Sequence, residues 1–421
     1  MSNRSIVIVL LILSGGITSY LFVVSWINGY RIWGSNPINY NVTGQVGDFI
    51  GGVVGTIISA AGFYFLYLTL REQRTAFLQQ SAAFERERLE SQFFELIRMH
   101  RDNVNELEFK RPIFRKEDTE YNEHSVSYEV IEKKKVFRSV YKQFEDCKSE
   151  LAFLFNNIES VYTDKFKALI LSTKTFRGIN LLELANSDIS YSIIFYGVGR
   201  EGKSILKTVL AKRYKSHFIT EVLNYISLKP RDDKEIYLKW AKLKAITNNE
   251  KKNFIVSEII RSRSKSQKGI PISKLFENDY VGDITYNYHD DFSKYYGGHQ
   301  FRLGHYYRHL FQTVKFINNK TTISYDEKYE YIKTLRAQLS TYEQSMLFIN
   351  SLSSMGFAWE YKPEIKTELA EWGEANFRLI TKYNLIKNLP GEIVGGLKFK
   401  EVYPEVEYEG DDYMRNNEAF R

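Results

Sequence analysis

One cysteine, Cys147, occurs in 421 residues. A lone thiol excludes an intrachain disulfide framework and a cysteine-based zinc site, and it suits a reducing compartment. Proline is scarce as well, with 7 in the whole chain, whereas Tyr and Phe number 30 and 29. That balance favours ordered, helix-rich structure over disorder. Neither charge dominates: 58 Lys and Arg against 51 Asp and Glu leave a net +7. So small an excess is compatible with an anionic membrane surface or with nucleic acid and selects neither. No internal repeat is present, and the length predicts about two or three domains.

Charge is missing altogether from Ile6 to Ile27, a run long enough to cross a ~30 Å hydrocarbon core. A cleaved signal peptide would carry an apolar region of only about 7–15 residues followed by a small-x-small site. Here the run ends in Trp26, Tyr30 and Trp33, the composition of an interfacial aromatic belt, so a retained helix is expected. A second span is expected from Val46 to Leu70. It opens GQVGDFIGGVVGTIISAAG, with Gly47, Gly51 and Gly55 at four-residue spacing and Ser59 continuing the row. Small residues so spaced let helix backbones approach closely in lipid. Packing on the first span and a homo-oligomeric membrane core are equally open. Asp48 sits near the span's end, where a packing or capping role is expected and an ion pathway stays open. Arg31 alone lies between the spans, whereas Arg71, Arg74, Arg86 and Arg88 follow the second. The positive-inside bias then places both the N-terminus and the large C-terminal part in the cytoplasm.

Between Arg71 and about Leu107 the chain lacks Pro and Gly, and Phe93, Ile97 and Val104 recur at helical spacing, predicting one long helix out of the membrane. Another helix is expected from Ser127 to Asn157. The basic run Arg261 to Gly269 reads as a solvated loop, since no stacking aromatics interleave it. After Pro390 the acidic, Gly-containing sequence reads as a loosely held tail. The expected organisation is a membrane domain over 1–70, a connecting helix or stalk over 71–110, a helical cytoplasmic domain over 111–390 and a tail over 391–421. The fold class is mainly α.

Two later helices carry most of the information. Over Tyr295 to Asn318, Arg302, His305 and His309 fall on one face. His289, His299, His305 and His309 crowd into this region, out of 7 histidines in all. Over Asp326 to Met355 a single helix is expected, with Leu335, Leu339, Tyr342, Met346 and Ile349 as a core stripe. Beside that stripe run Arg336, Ser340, Glu343 and Asn350. Together with Arg308, these polar residues are expected to form an internal network or a ligand pocket.

In GDFIGGVVGTIISAAGFYFLYLTLREQR, ESQFFELIRMHRDNVNEL, GHQFRLGHYYRHLFQTVKFI and LRAQLSTYEQSMLFINSLSSMG, taken in order from Gly47 to Gly356, the chain resembles the phage abortive-infection proteins often called AbiC-like. The last two blocks are the specific ones. The resemblance implies a membrane-associated bacterial defence protein that arrests an infected cell, and it carries no established reaction or catalytic residues.

Three chemical readings compete. Gly197-x-x-x-x-Gly202-Lys203-Ser204 is a complete phosphate-loop string, behind an apolar run that reads as a strand. After Ser204, however, no aliphatic run ends in an acidic residue to position Mg²⁺, so nucleotide binding there is disfavoured. Arg302 and His309 have the Arg-to-His spacing of HEPN-type ribonucleases, whose cationic Arg and proton-shuttling His suit RNA transesterification; Leu303 departs from the Asn or His that usually follows that Arg. His305, His309 and Glu343 complete the catalytic candidates. A His305/His309 metal site lacks an evident third ligand, and no metal or cofactor is expected. The favoured reading is non-enzymatic: a cytoplasmic sensing domain coupled to a transmembrane effector in the bacterial inner membrane. Its expected partners are membrane lipid, further copies of itself, and a phage-derived trigger or another defence component, with nucleic acid left open.

Overall fold

The computed structural model describes residues 3–29, 40–113, 127–172, 178–227, 242–243, 245–263, 297–360 and 378–409. The chain divides into two compact units, Met1–Gln92 and Phe93–Arg421. Tyr30, Trp33, Arg31, His289 and most of the 261–269 basic run lie outside the described residues.

In the first unit, α1 (Asn3–Ile27) is followed by α2 (Tyr40–Phe49), a π-helical turn (Ile50–Val54) and the start of α3 (Gly55–Asn105). Two helical stretches are long and apolar enough to cross a membrane, Ile8–Ile27 and Thr43–Asn105. Their large apolar side chains stay mostly uncovered, Ile12 at 68% and Phe63 at 73% exposure. Among the described residues of this unit, Ser14, Val54, Ala61 and Leu89 are buried, and α1 meets the π-helical turn. The glycine row does not take part. A Cβ added at Gly47 or Gly51 would meet nothing, and one at Gly55 would meet only the Ile50 carbonyl at 3.8 Å.

The second unit is helical, with two small hairpins. Strands β1 (Glu108–Ile113) and β2 (Ser127–Glu132) pair antiparallel, Glu108 opposite Glu132. The expected helix from Ser127 is thereby corrected: β-branched and aromatic residues in SYEVIE favour a pleated surface, and Lys133 turns the chain with φ 56°. Only then does α4 (Lys135–Leu151) begin. Next come α5 (Ile158–Val161), α6 (Asp164–Ser172), α7 (Leu181–Tyr196), α8 (Arg200–Leu210), α9 (Ser216–Ile226) and α10 (Asn249–Arg263). They are followed by α11 (Gln300–Asn318), α12 (Tyr325–Arg336), α13 (Thr341–Leu352) and α14 (Leu379–Lys382).

Helix α7 is the centre of this unit. It is buried on every side from Leu184 to Phe195, as a helix that is apolar or small all round must be. The Asn180 side chain caps it, accepting from Leu182 N at 3.0 Å and Glu183 N at 3.3 Å. Helices α4, α11 and α13 pack against it.

The expected single helix over 326–355 is two helices, α12 and α13. The first ends at Arg336 with Ala337 as its C-cap, and Ser340 caps the second: its Oγ accepts from Glu343 N at 3.4 Å, while Glu343 Oε2 accepts from Ser340 N at 2.7 Å. This reciprocal capping box satisfies donors that helix start leaves free. The loosely held tail is also corrected as far as Glu409. Gly395 and Gly396, with φ of 60° and 79°, supply the two positive-φ positions of a tight hairpin joining β3 (Ile393–Val394) to β4 (Leu397–Lys398). The hairpin and α15 (Phe399–Val402) bury Val394, Leu397, Phe399, Val402 and Tyr403. Residues 410–421 lie outside the described residues.

Candidate functional site

A close backbone approach sets the site. Gly197, with φ 76°, turns the chain sharply at the end of α7. Gly298 then brings the start of α11 against that turn, where a Cβ would collide with the Phe195 carbonyl oxygen. His299 N donates to Ile194 O at 3.1 Å, and its ring Nε2 lies 2.8 Å from Gln143 Oε1. From the other side comes the segment after α13. Gly356 is packed so tightly that a Cβ would collide with the Asn350 carbonyl oxygen. Asn350 joins the two sides: Nδ2 donates to Tyr191 OH at 2.9 Å, and Oδ1 accepts from Trp359 Nε1 at 3.1 Å. Trp359 also meets Phe311 edge-on, with ring centroids 4.9 Å apart.

These elements enclose a cleft of about 740 Å³. Its walls are aromatic, with Phe195, Tyr196, Phe301, Tyr307, Phe311 and Trp359, and its basic side chains are His305 and Arg308. Both sit on the exposed side of α11. No Asp or Glu lines the cleft among the described residues. Of the residues expected in a network or pocket, Arg308 and Asn350 therefore come together here, joined by His305.

The others go elsewhere. Arg336 is buried and donates to Tyr383 O at 3.2 Å and Asn384 O at 3.0 Å. Glu343 is fully buried and is held by its own cap and by Tyr306 OH at 3.1 Å. The expected polar stripe is thus three separate constructions: the break before Ser340 parts Arg336 from the rest, and Glu343 and Asn350, seven residues apart on α13, meet different partners, Tyr306 and Tyr191. Arg302 donates Nε to Glu108 O at 2.7 Å and stacks its guanidinium over Phe301 at 4.0 Å. His309 instead stacks on His100, with centroids 6.1 Å apart. Arg302 and His309 thus share a helix and not a set of partners.

His100 was not visible as a candidate. It is buried, with neither ring nitrogen hydrogen-bonded among the described residues. Burial holds its pKa down at about 4, and His309 and Lys134 push the same way. Burial also lowers His309. His299 is held at about 3 by burial, with Arg302 adding. These imidazoles are neutral at pH 7. Asp188 was missed too, although a carboxylate inside the apolar run of α7 signals a buried partner. Its Oδ2 accepts from Arg213 Nη1 at 2.7 Å and Tyr214 OH at 2.7 Å, and its Oδ1 from Ser354 N at 2.8 Å.

The phosphate-loop string runs from the turn after α7 into the first turns of α8, so the strand expected before it is helix. Gly202 is there for packing, since a Cβ would collide with the Gly197 carbonyl oxygen. Lys203 is half-buried and Ser204 exposed on α8. In the first unit, Asp48 is exposed. Among the described residues no cluster of three or more His, Cys, Asp or Glu is placed to hold a metal ion.

A family model described as "Putative phage abortive infection protein" matches residues 298–367, which bears out the resemblance read from the sequence. The match supports antiphage defence as the general role. Apart from Phe195, Tyr196 and Gly297, every lining residue of the cleft falls inside the matched stretch. No curated protein and no solved structure matches the chain.

Proposed function

We propose that the protein is a membrane-anchored antiphage effector. Its helical unit recognises an infection signal, and its N-terminal helices associate with those of further copies to breach the bacterial inner membrane. The observation that carries this reading is the uncovered glycine row. Gly47 and Gly51 lie on a helix long and apolar enough to cross a membrane, yet no described residue comes within 4 Å of a Cβ added at either. In lipid, helices associate through close packing of small residues, so a row left free by its own protomer is available to another. The π-helical turn at Ile50–Val54 is a further mark of a working segment, because π-bulges are found frequently at functional sites. Positive charge following the second span orients the helical unit toward the cytoplasm.

Gly51→Leu tests the reading. A Cβ there meets no described residue within 4 Å, so the substitution is expected to spare the fold, which melting of the variant checks, and to obstruct association between copies. Cell arrest on induction should disappear in this variant. In the parent, membrane potential should collapse before total RNA is degraded. RNA cleavage arriving first, and abolished by His309→Ala, would overturn the membrane-effector reading in favour of the tethered ribonuclease.

A further inference from the structure

We propose that the cleft beside α11 binds a small aromatic anion of the mononucleotide class. The assignment rests on the reading of the helical unit as the sensing part and names what it senses. Charge supplies the first argument. Arg308 is the cleft's charged side chain and His305 its imidazole, no carboxylate among the described lining residues opposes them, and they sit three residues apart, on neighbouring positions of one helix face. An exposed guanidinium one turn from an imidazole suits a phosphate, which accepts paired, charge-assisted hydrogen bonds from a planar fork. Gln300 and Phe301, from the first turn of α11, also line the cleft, and the helix dipole there favours negative charge in the same sense.

The walls supply the second. Phe301, Phe311 and Trp359 offer ring faces and edges to a flat heteroaromatic group. Trp359 is already fixed by Asn350 and Phe311, so little freedom is lost when a base settles against it. Size decides between occupants. A cleft of about 740 Å³ falls in the range of small-molecule sites, about 300–1,000 Å³, which favours a small molecule over a duplex or a folded protein. The site is separate from the Gly197–Ser204 string, whose Lys203 and Ser204 do not line it.

The test uses the full chain in lipid nanodiscs and titration calorimetry with AMP, ATP, GTP, adenosine, inorganic phosphate and a short single-stranded RNA. At least one mononucleotide should bind saturably, with adenosine and phosphate each weaker by about tenfold or more. Arg308→Glu and Phe301→Ala alter exposed side chains and should each weaken binding by about tenfold with unchanged melting, whereas Lys203→Ala should leave it as it was. Absence of saturable mononucleotide binding by the folded chain would overturn the proposal. So would equal affinity in Arg308→Glu, or RNA binding without mononucleotide binding. Gly51→Leu should retain the binding, so a variant that binds but no longer arrests cells separates failure of the membrane step from failure of recognition.

Discussion

Asp188→Asn is the substitution whose cost can be worked most directly. The Asp188 side chain is fully buried and its partner Arg213 is 8% exposed. Its two oxygens accept from Arg213, Tyr214 and both the amide and hydroxyl of Ser354. Burial works most strongly against the Arg213 charge, and Asp188 together with Tyr214 and Tyr162 outweighs it, raising the guanidinium above its ordinary value. An amide of the same shape removes the countercharge and turns one acceptor into a donor facing donors. Removing one partner of a buried pair costs about 3–5 kcal/mol. Arg213 would keep Leu352 O at 3.0 Å, Ser353 O at 3.2 Å and the Phe357 ring at 4.7 Å, so the lower end, about 3 kcal/mol, is expected. At roughly 2 °C per kcal/mol for a unit of this size, melting should fall by about 6 °C.

The assay is thermal unfolding of the full chain in detergent, followed by near-ultraviolet circular dichroism. Arg213→Met is measured alone and together with Asp188→Asn. If the cost comes from an orphaned buried charge, the double variant should lose less than the two singles combined, by about 2 kcal/mol. Strict additivity would refute this reasoning, as would a melting shift below about 2 °C in Asp188→Asn.

Stability against pH should be the sum of two opposing slopes. His100 and His299, held at about 4 and about 3, take up protons on unfolding below their ordinary 6.5 and so destabilise the fold as pH drops from there. Glu360 is raised to about 7 by burial, against the pull of Thr381, Arg378 and Ile380; it keeps its proton in the fold above the ordinary 4.5 and so loses stability as pH rises from 4.5 to 7. Glu360→Gln should remove the second slope, and denaturant midpoints between pH 4.5 and 6.5 should then climb more steeply than in the parent; an unchanged profile would refute the assignment. Ser340→Ala should cost about 1–2 kcal/mol by urea unfolding, and a change within error would show that the capping box carries no stability. Protease added to intact spheroplasts should leave the helical unit uncut; digestion there would reverse the proposed orientation.

Much of the architecture was legible because it follows from periodicity over long stretches. The apolar runs, the unbroken helix out of the second span and the helix over 300–318 all repeat one pattern for many turns. What escaped is short or local. In SYEVIE the strand is only as long as β2 itself, Ser127–Glu132, too brief to compete with the helical pattern that follows. The break between α12 and α13 was signalled by Ser340-x-x-Glu343, and Ser324-x-x-Glu327 marks the start of α12 in the same way. The apolar spacing nevertheless runs through the gap, since Leu335, Leu339, Met346 and Ile349 are all buried. Core contact continues where helix does not, so hydrophobic spacing alone cannot locate a cap.

The cleft was the hardest feature to read, because its residues are joined by backbone proximity rather than by sequence spacing. Arg302, His305 and His309 share a helix face in the sequence, but three different surroundings divide them. Arg302 is spent on Glu108 O and on aromatic rings, and His309 on His100. His305 alone among them reaches the cleft, where its companions Asn350 and Trp359 come from far along the chain. The Gly197–Ser204 string illustrates the reverse case. Its glycines are required by the fold, one for a positive φ and one for the close packing of α8 on the preceding turn, so the string has a complete packing account between two helices. Gly197 and Gly298 bring the end of α7 and the start of α11 close enough to form one wall. Asn350 and the Asp188 clamp fix the opposite wall through Trp359 and Ser354. A buried carboxylate outside the cleft thus anchors the residue next to its lining residues Met355 and Gly356, and Asp188→Asn should loosen the proposed nucleotide binding together with the fold, whereas Arg308→Glu should loosen binding alone.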